Sequence, residues 1–160
     1  MTAKDEAAFL GHLKYEIDAL YALTEIIQSK GYKEPPIDSF LLECCLLHFR
    51  VVWDFFYGKP TPKDLTIRVF LSVESLKKHR PKQPKRLREI RNQINITIAH
   101  LGRDRIKPER KSTEPRMEDI ALIREHTEQL FVAFTAALSE AQKAGLVNPL
   151  AHKFRNFKTV

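Results

Sequence analysis

Glycine is scarce in this chain: five residues in 160, standing mostly at the ends of candidate elements. That scarcity, together with long runs rich in Leu, Ala, Glu, Lys and Arg, points to an all-α protein. No stretch of eighteen apolar residues occurs, so no membrane span is expected. The opening segment "MTAKDEAAFL" places acids beside its only lysine and lacks an apolar core, so no secretory signal is expected there. Cysteine is limited to the adjacent pair Cys44 and Cys45, which cannot build a disulfide framework and reads as small core residues of a cytoplasmic protein. Gly-rich phosphate loops, zinc-type Cys/His spacings and nucleophile elbows are absent. The six histidines (His12, His48, His79, His100, His126 and His152) are scattered. No two stand four apart on one helix, so neither a metal nor a cofactor is expected.

What the chain does have is a normal apolar share, 43%, enough for one core in a domain of this size. It also has a concentrated charge. Thirteen basic residues against three acidic ones lie between Lys77 and Lys111, a local excess of ten, larger than the +7 of the whole chain. Such a zone attracts polyanions, RNA above all; the alternative is a solvated basic face with no ligand.

Periodicity divides the chain into helices. Phe9, Leu13, Ile17, Leu20, Leu23 and Ile27 recur at three- and four-residue steps and predict a first helix over Ala3–Ser29, ended by Gly31. A second follows from Pro35 to Tyr57, with Gly58 and Pro60 beyond it. "LTIRVFLSV" predicts a third over Asp64–Lys78, and "RPKQP" breaks the chain. A fourth is expected over Lys85–Leu101. "RDRIKPERKSTEP" reads as a charged loop. A long fifth helix begins near Pro115, with Ile120, Ile123, Thr127, Leu130, Phe134, Ala137 and Ala141 facing inward, and ends at "AGLVNP". Residues 1–147 then form one domain, an antiparallel four- to five-helix up-and-down bundle, and 148–160 a basic, flexible tail.

Two of these helices carry candidate site residues. The second, "SFLLECCLLHFRVVWDFFYG", is apolar nearly all round and is expected to be the central buried helix. Glu43, Arg50, Asp54 and Tyr57 share a sector of about 60° on it, and Arg50 and Asp54, four apart, can pair. Charges on so apolar a helix need partners. The sector is either a buried ion pair that fixes helix register or a polar cleft in which Arg50 holds an RNA phosphate. His48 lies on another face, as a hydrogen-bonded core histidine or a catalyst. On the fourth helix, "RNQINITIAH" carries an apolar stripe of Leu87, Ile90, Ile94, Ile98 and Leu101. Arg91 and Asn95 share a flank, while His100 is about half a turn of the wheel away from Arg91. For Arg91 and His100 to act together, the helix must bend, or helix two or a second subunit must complete the site. Ile96 and Ala99, opposite the core stripe, suggest an interface.

"RNQINITIAHLGRDR" resembles the signature helix of HEPN-type domains, in which an Arg and a polar residue precede a His. "LLECCLLHFRVVWDFF" is similar to the "LLE…LH.R…DFF" helix of small bacterial HEPN-like proteins. The resemblance spans two segments, Leu41–Tyr57 and Arg91–Arg105. It implies a HEPN-like bundle, usually homodimeric, within a family whose active members are metal-independent endoribonucleases of defence or toxin–antitoxin systems. Arg91 and Asn92 match the Arg-polar pair and His100 the terminal His. Eight residues separate Arg91 from His100, and Asn95 stands at the family's shorter spacing. In a nuclease, His100 would move the proton of the 2′-hydroxyl or of the leaving oxygen. Arg91 or Arg50 would stabilise the phosphorane-like charge, and Asn95 would orient the phosphate. Asp54, Glu43, Tyr57, Asn92 and Arg105 would support the site. Three functions stay open: an RNA- or partner-binding module with an antitoxin or other protein partner, a ribonuclease, and a structural dimeric bundle with no nucleic-acid role.

Overall fold

The structure is a computed structural model and describes residues 2–30, 37–59, 65–97, 115 and 117–146. The described residues are all-helical, with no strand among them. Six α-helices follow in order: α1 Ala3–Lys30, α2 Ile37–Tyr57, α3 Val73–His79, α4 Lys85–Thr97, α5 Met117–Ala137 and α6 Glu140–Ala144. None of them is long and apolar enough to cross a membrane.

The inner stripe of α1 is buried as its spacing predicts: Leu10, Leu13, Ile17, Leu20 and Ile27 all lie in the core. Residue pairs along it set the topology. Phe9 meets Phe55, and Tyr15 and Glu16 meet His48, so α1 and α2 are antiparallel. Lys14 lies over the Phe131 ring and Arg124 over the Tyr21 ring, so α1 and α5 are antiparallel too. α4 packs on both α2 and α5, burying Leu87, Ile90 and Ile94.

Aromatic rings fill the centre. Phe134 of α5 makes edge contacts with Phe55, Phe56 and Phe70, at centroid distances of 5.4, 5.7 and 6.1 Å. Phe9 stacks on Phe70 at 5.6 Å from the other side. Edge-to-face pairs at these distances add to the gain from burial alone.

Four expectations are corrected. The third helix is not continuous over 64–78. A single 3-10 turn at Ile67–Val69 precedes α3, whose start is set by Ser72, the side chain of which accepts from the Ser75 N–H. The β-branched run before it buries Ile67 and Thr66 and stays out of regular helix. The fifth helix stops at Ala137, because Ser139 and Gln142 form a capping box that starts α6. Leu138 and Ser139 separate the two helices, and Ala141, expected inside, is exposed. α6 is tied to α1 by Gln142 Nε2 donating to Glu6 Oε1 at 2.6 Å. α2 is buried on one side only; Ile37, Phe40, Leu47 and Val51 are exposed. Of the two cysteines, Cys45 is buried, and burial pushes its thiol up to about 12, whereas Cys44 is exposed. The expected last turn of the fourth helix and the tail from 148 lie outside the described residues.

Phe134 joins more rings than any other residue of α5, so Phe134→Ala leaves a cavity that helices cannot collapse into. Urea unfolding is expected to show a loss of about 3–5 kcal/mol. An exposed α5 position, Val132→Ala, is expected to change stability by less than about 0.5 kcal/mol.

Candidate functional site

The predicted partners Arg50 and Asp54 lie one turn apart on the outer flank of α2. Burial of Phe49, Val52, Trp53 and Phe56 on the inner side fixes this orientation. The third member comes from α4. Arg91 sends Nε and one terminal nitrogen to the same carboxylate oxygen, Asp54 Oδ1, at 2.9 and 2.8 Å. Arg50 Nε stands 3.7 Å from the other oxygen, Oδ2. Arg91 thus meets helix two at Asp54, while His100, with which it was expected to act, lies outside the described residues. Two guanidinium groups around one carboxylate leave one positive charge uncompensated, and all three side chains are only partly buried.

Asp54 also sits at the end of its helix. Gly58 donates its N–H to the Asp54 carbonyl at 2.8 Å. A Cβ built on Gly58 would lie 2.2 Å from that carbonyl oxygen, so only glycine fits where α2 stops.

The other predicted residues divide. Glu43, two turns before Arg50 on the same flank, is exposed, as is Asn92. Asn95 lies within α4. His100 and Arg105 lie outside the described residues. Tyr57 is drawn into a different cluster. Its hydroxyl donates to the Pro81 carbonyl at 2.8 Å and lies 2.9 Å from His126 Nε2. A hydroxyl has one proton and the carbonyl can only accept. The neutral His126 therefore carries its proton on Nε2 and donates it to the Tyr57 oxygen. Arg80 caps the arrangement, its guanidinium 5.1 Å from the Tyr57 ring centre and donating to the Phe56 carbonyl at 3.0 Å. Burial pushes the Tyr57 hydroxyl up to about 12. Burial likewise holds His126 below its usual range, against the opposing pull of Gln129 and Glu125. This cluster ties the end of α2, the segment after α3, and α5 together.

Two further pairs escaped sequence reasoning. Arg86 of α4 grips the buried Asp119 of α5 with both forks, at 2.8 and 2.5 Å, and that contact raises the Arg86 pKa. His48 is neither a lone core histidine nor part of the triad: its Nδ1 lies 2.6 Å from Glu16 of α1. Both pairs join residues more than thirty apart in the chain, and only local i,i+4 partners are visible in a sequence.

What remains outside these contacts is the basic surface. Between Lys77 and Arg91 stand eight basic residues and one acid, Glu89. Arg80, Arg86 and Arg91 are tied into the fold, whereas Lys77, Lys78, Lys82, Lys85 and Arg88 are exposed on α3, the connecting segment and α4. Lys85 lies 4.0 Å from Glu89, at the edge of ion pairing. No group of His, Cys, Asp and Glu among the described residues could hold a metal ion. No family model, no curated protein and no solved structure matches the chain.

The geometry ranks the two ion contacts of Asp54. A double-mutant cycle between Arg91 and Asp54 is expected to give a coupling of about 0.5–1 kcal/mol, and one between Arg50 and Asp54 a value near zero. Equal couplings would show that distance does not rank them. The His126 cluster sets a pH dependence. The unfolded chain takes up a proton on this histidine near its ordinary value of 6.5, and the folded protein only at lower pH. Stability from this group is therefore present above pH 6.5 and lost as the pH falls below it. The urea midpoint is expected to fall between about pH 7 and pH 5, and to fall less in His126→Gln.

Proposed function

We propose that this chain is an RNA-binding helical module of the HEPN-like type, homodimeric and acting with a protein partner in a defence or toxin–antitoxin setting. The observation that carries the RNA reading is the division of the basic residues. Three arginines hold the fold, while Lys77, Lys78, Lys82, Lys85 and Arg88 face solvent within the stretch from Lys77 to Arg91, whose one acid is Glu89. A surface that served only solubility has no need to gather one sign of charge in this way. Phosphate contacts made by such cations give affinity without demanding sequence. The HEPN-like reading is supported by the all-helical bundle and by the contact between α2, which carries the first resembling segment, and α4, which carries the start of the second, Arg91–Thr97.

Cleavage is the second reading. It is favoured by the uncompensated positive charge where Arg50 and Arg91 flank Asp54, the segment from which a phosphorane would be stabilised. Binding ranks above it because Arg91 commits two of its three nitrogens, Nε and one terminal nitrogen, to Asp54.

The test is a salt series with a short single-stranded RNA. Affinity is expected to fall steeply between about 50 and 200 mM salt, and Lys77→Ala/Lys78→Ala/Lys82→Ala to reduce the log–log slope by about 2. Absent or salt-independent binding would sink the RNA reading. RNA cut without added metal, and left intact by His100→Ala, would move the assignment to the nuclease.

A further inference from the structure

The side of α2 that faces away from α1, α4 and α5 is apolar. Ile37, Phe40, Leu47 and Val51 are 51%, 63%, 41% and 49% exposed, and Cys44 between them is exposed as well. Their spacing alternates three and four residues along the helix. That is the spacing of a coiled-coil seam. The opposite side of the same helix carries the core residues Leu46, Phe49, Val52, Trp53 and Phe56. Isolated exposed apolar residues are ordinary, but an uninterrupted stripe about four turns long marks an interaction surface.

We propose that the stripe is covered by a second copy of this chain, α2 lying antiparallel on the partner's α2 about a two-fold axis. The charges beside the seam select this occupant and this register. Glu43 and Arg50 stand on one flank, seven residues apart. When Phe40 lies against the partner's Val51 and Cys44 against the partner's Leu47, Glu43 comes beside the partner's Arg50. The two-fold axis makes this pair twice. Sliding the helices by one heptad sets Glu43 against the partner's Glu43, or Arg50 against the partner's Arg50, and like charges then repel. A parallel pair turns Glu43 towards the partner's His48, a side chain already held by Glu16 of its own chain at 2.6 Å. Arg50 is open to a new carboxylate, since its Nε is no closer than 3.7 Å to Asp54. The partner copy thus contributes a residue to the charged site, and Arg50 links the seam to Asp54 and Arg91.

This deepens the homodimer of the proposed function by giving it a surface and a register. It rests on α2 alone, so a chain that dimerises here without binding RNA removes the RNA reading and leaves this one standing. Sedimentation equilibrium on the full chain tests it. The wild type is expected to be a dimer at micromolar concentration. Leu47→Glu is expected to weaken self-association at least about 100-fold, with helicity retained because Leu47 lies outside the core. Glu43→Lys and Arg50→Glu are each expected to weaken it about tenfold, and the double variant Glu43→Lys/Arg50→Glu to restore it. A wild type that stays monomeric at about 100 µM, where specific dimers are saturated, would overturn the proposal. So would a dimer indifferent to Leu47→Glu, or charge reversals whose losses add without rescue.

Discussion

The rotation of α2 about its own axis is the constraint on which the rest of this structure depends. Large side chains on one side, Phe49, Val52, Trp53 and Phe56, bury against α1, α4 and α5. Each loses about 1.5–3 kcal/mol if turned to water. No contact on the outer flank is worth as much, so the inner side decides the setting. Once it is set, Arg50 and Asp54 must face the flank where α4 passes, and Tyr57 must point at His126. Phe40, Leu47 and Val51 must then face outward, however apolar they are. A helix with hydrophobic residues on both sides has only one inner face to give, and the second set is left to whatever the molecule meets.

The arginines show the same economy of position. Arg80, Arg86 and Arg91 each reach an acceptor supplied by another element: the Phe56 carbonyl, the buried Asp119 and Asp54. A planar guanidinium with several donors suits such roles, because it can satisfy more than one lone pair from one place. The lysines of the same stretch stay exposed. Their compact, strongly hydrated ammonium groups lose more by leaving water, so a basic segment that must both fold and carry charge outward divides along these lines. Arg88 stays outside with the lysines, so side-chain chemistry sets most of this division but not all of it.

Much of the fold is legible in the sequence because burial follows period. The α1 stripe, the Leu87–Ile90–Ile94 stripe and the inner face of α5 down to Phe134 are buried where three- and four-residue spacing puts them. The pairing of Arg50 with Asp54 is legible as well, being local. Three things are not. The break before Ser139 rests on one capping box inside an otherwise continuous helical pattern. The outer exposure of α2 cannot be told from burial by composition, since an apolar residue reads the same on either side. The partners of Arg91, His48 and Tyr57 come from distant positions, and their meeting depends on how helices cross. His100, the residue on which the nuclease reading turns, lies outside the described residues.

Asp54 brings these strands together. One carboxylate cannot neutralise two guanidinium groups, so its role is to set where they stand. Arg91 takes one oxygen with two donors and is held; Arg50 is left at the longer distance from the other oxygen. The difference follows from reach. Arg50 shares a helix with Asp54, and the i,i+4 geometry lets its Nε approach but does not aim its fork at the carboxylate. Arg91 arrives from α4 and can do so. The loosely held cation is therefore the one on α2, at the border between the charged flank and the apolar stripe. A phosphate or a carboxylate from outside the chain would meet Arg50 first, and displacing it from Asp54 costs little at this exposure. On the proposed dimer, an anionic ligand of this flank and the partner's Glu43 would compete for the same side chain, which would couple the flank to the α2 stripe beside it.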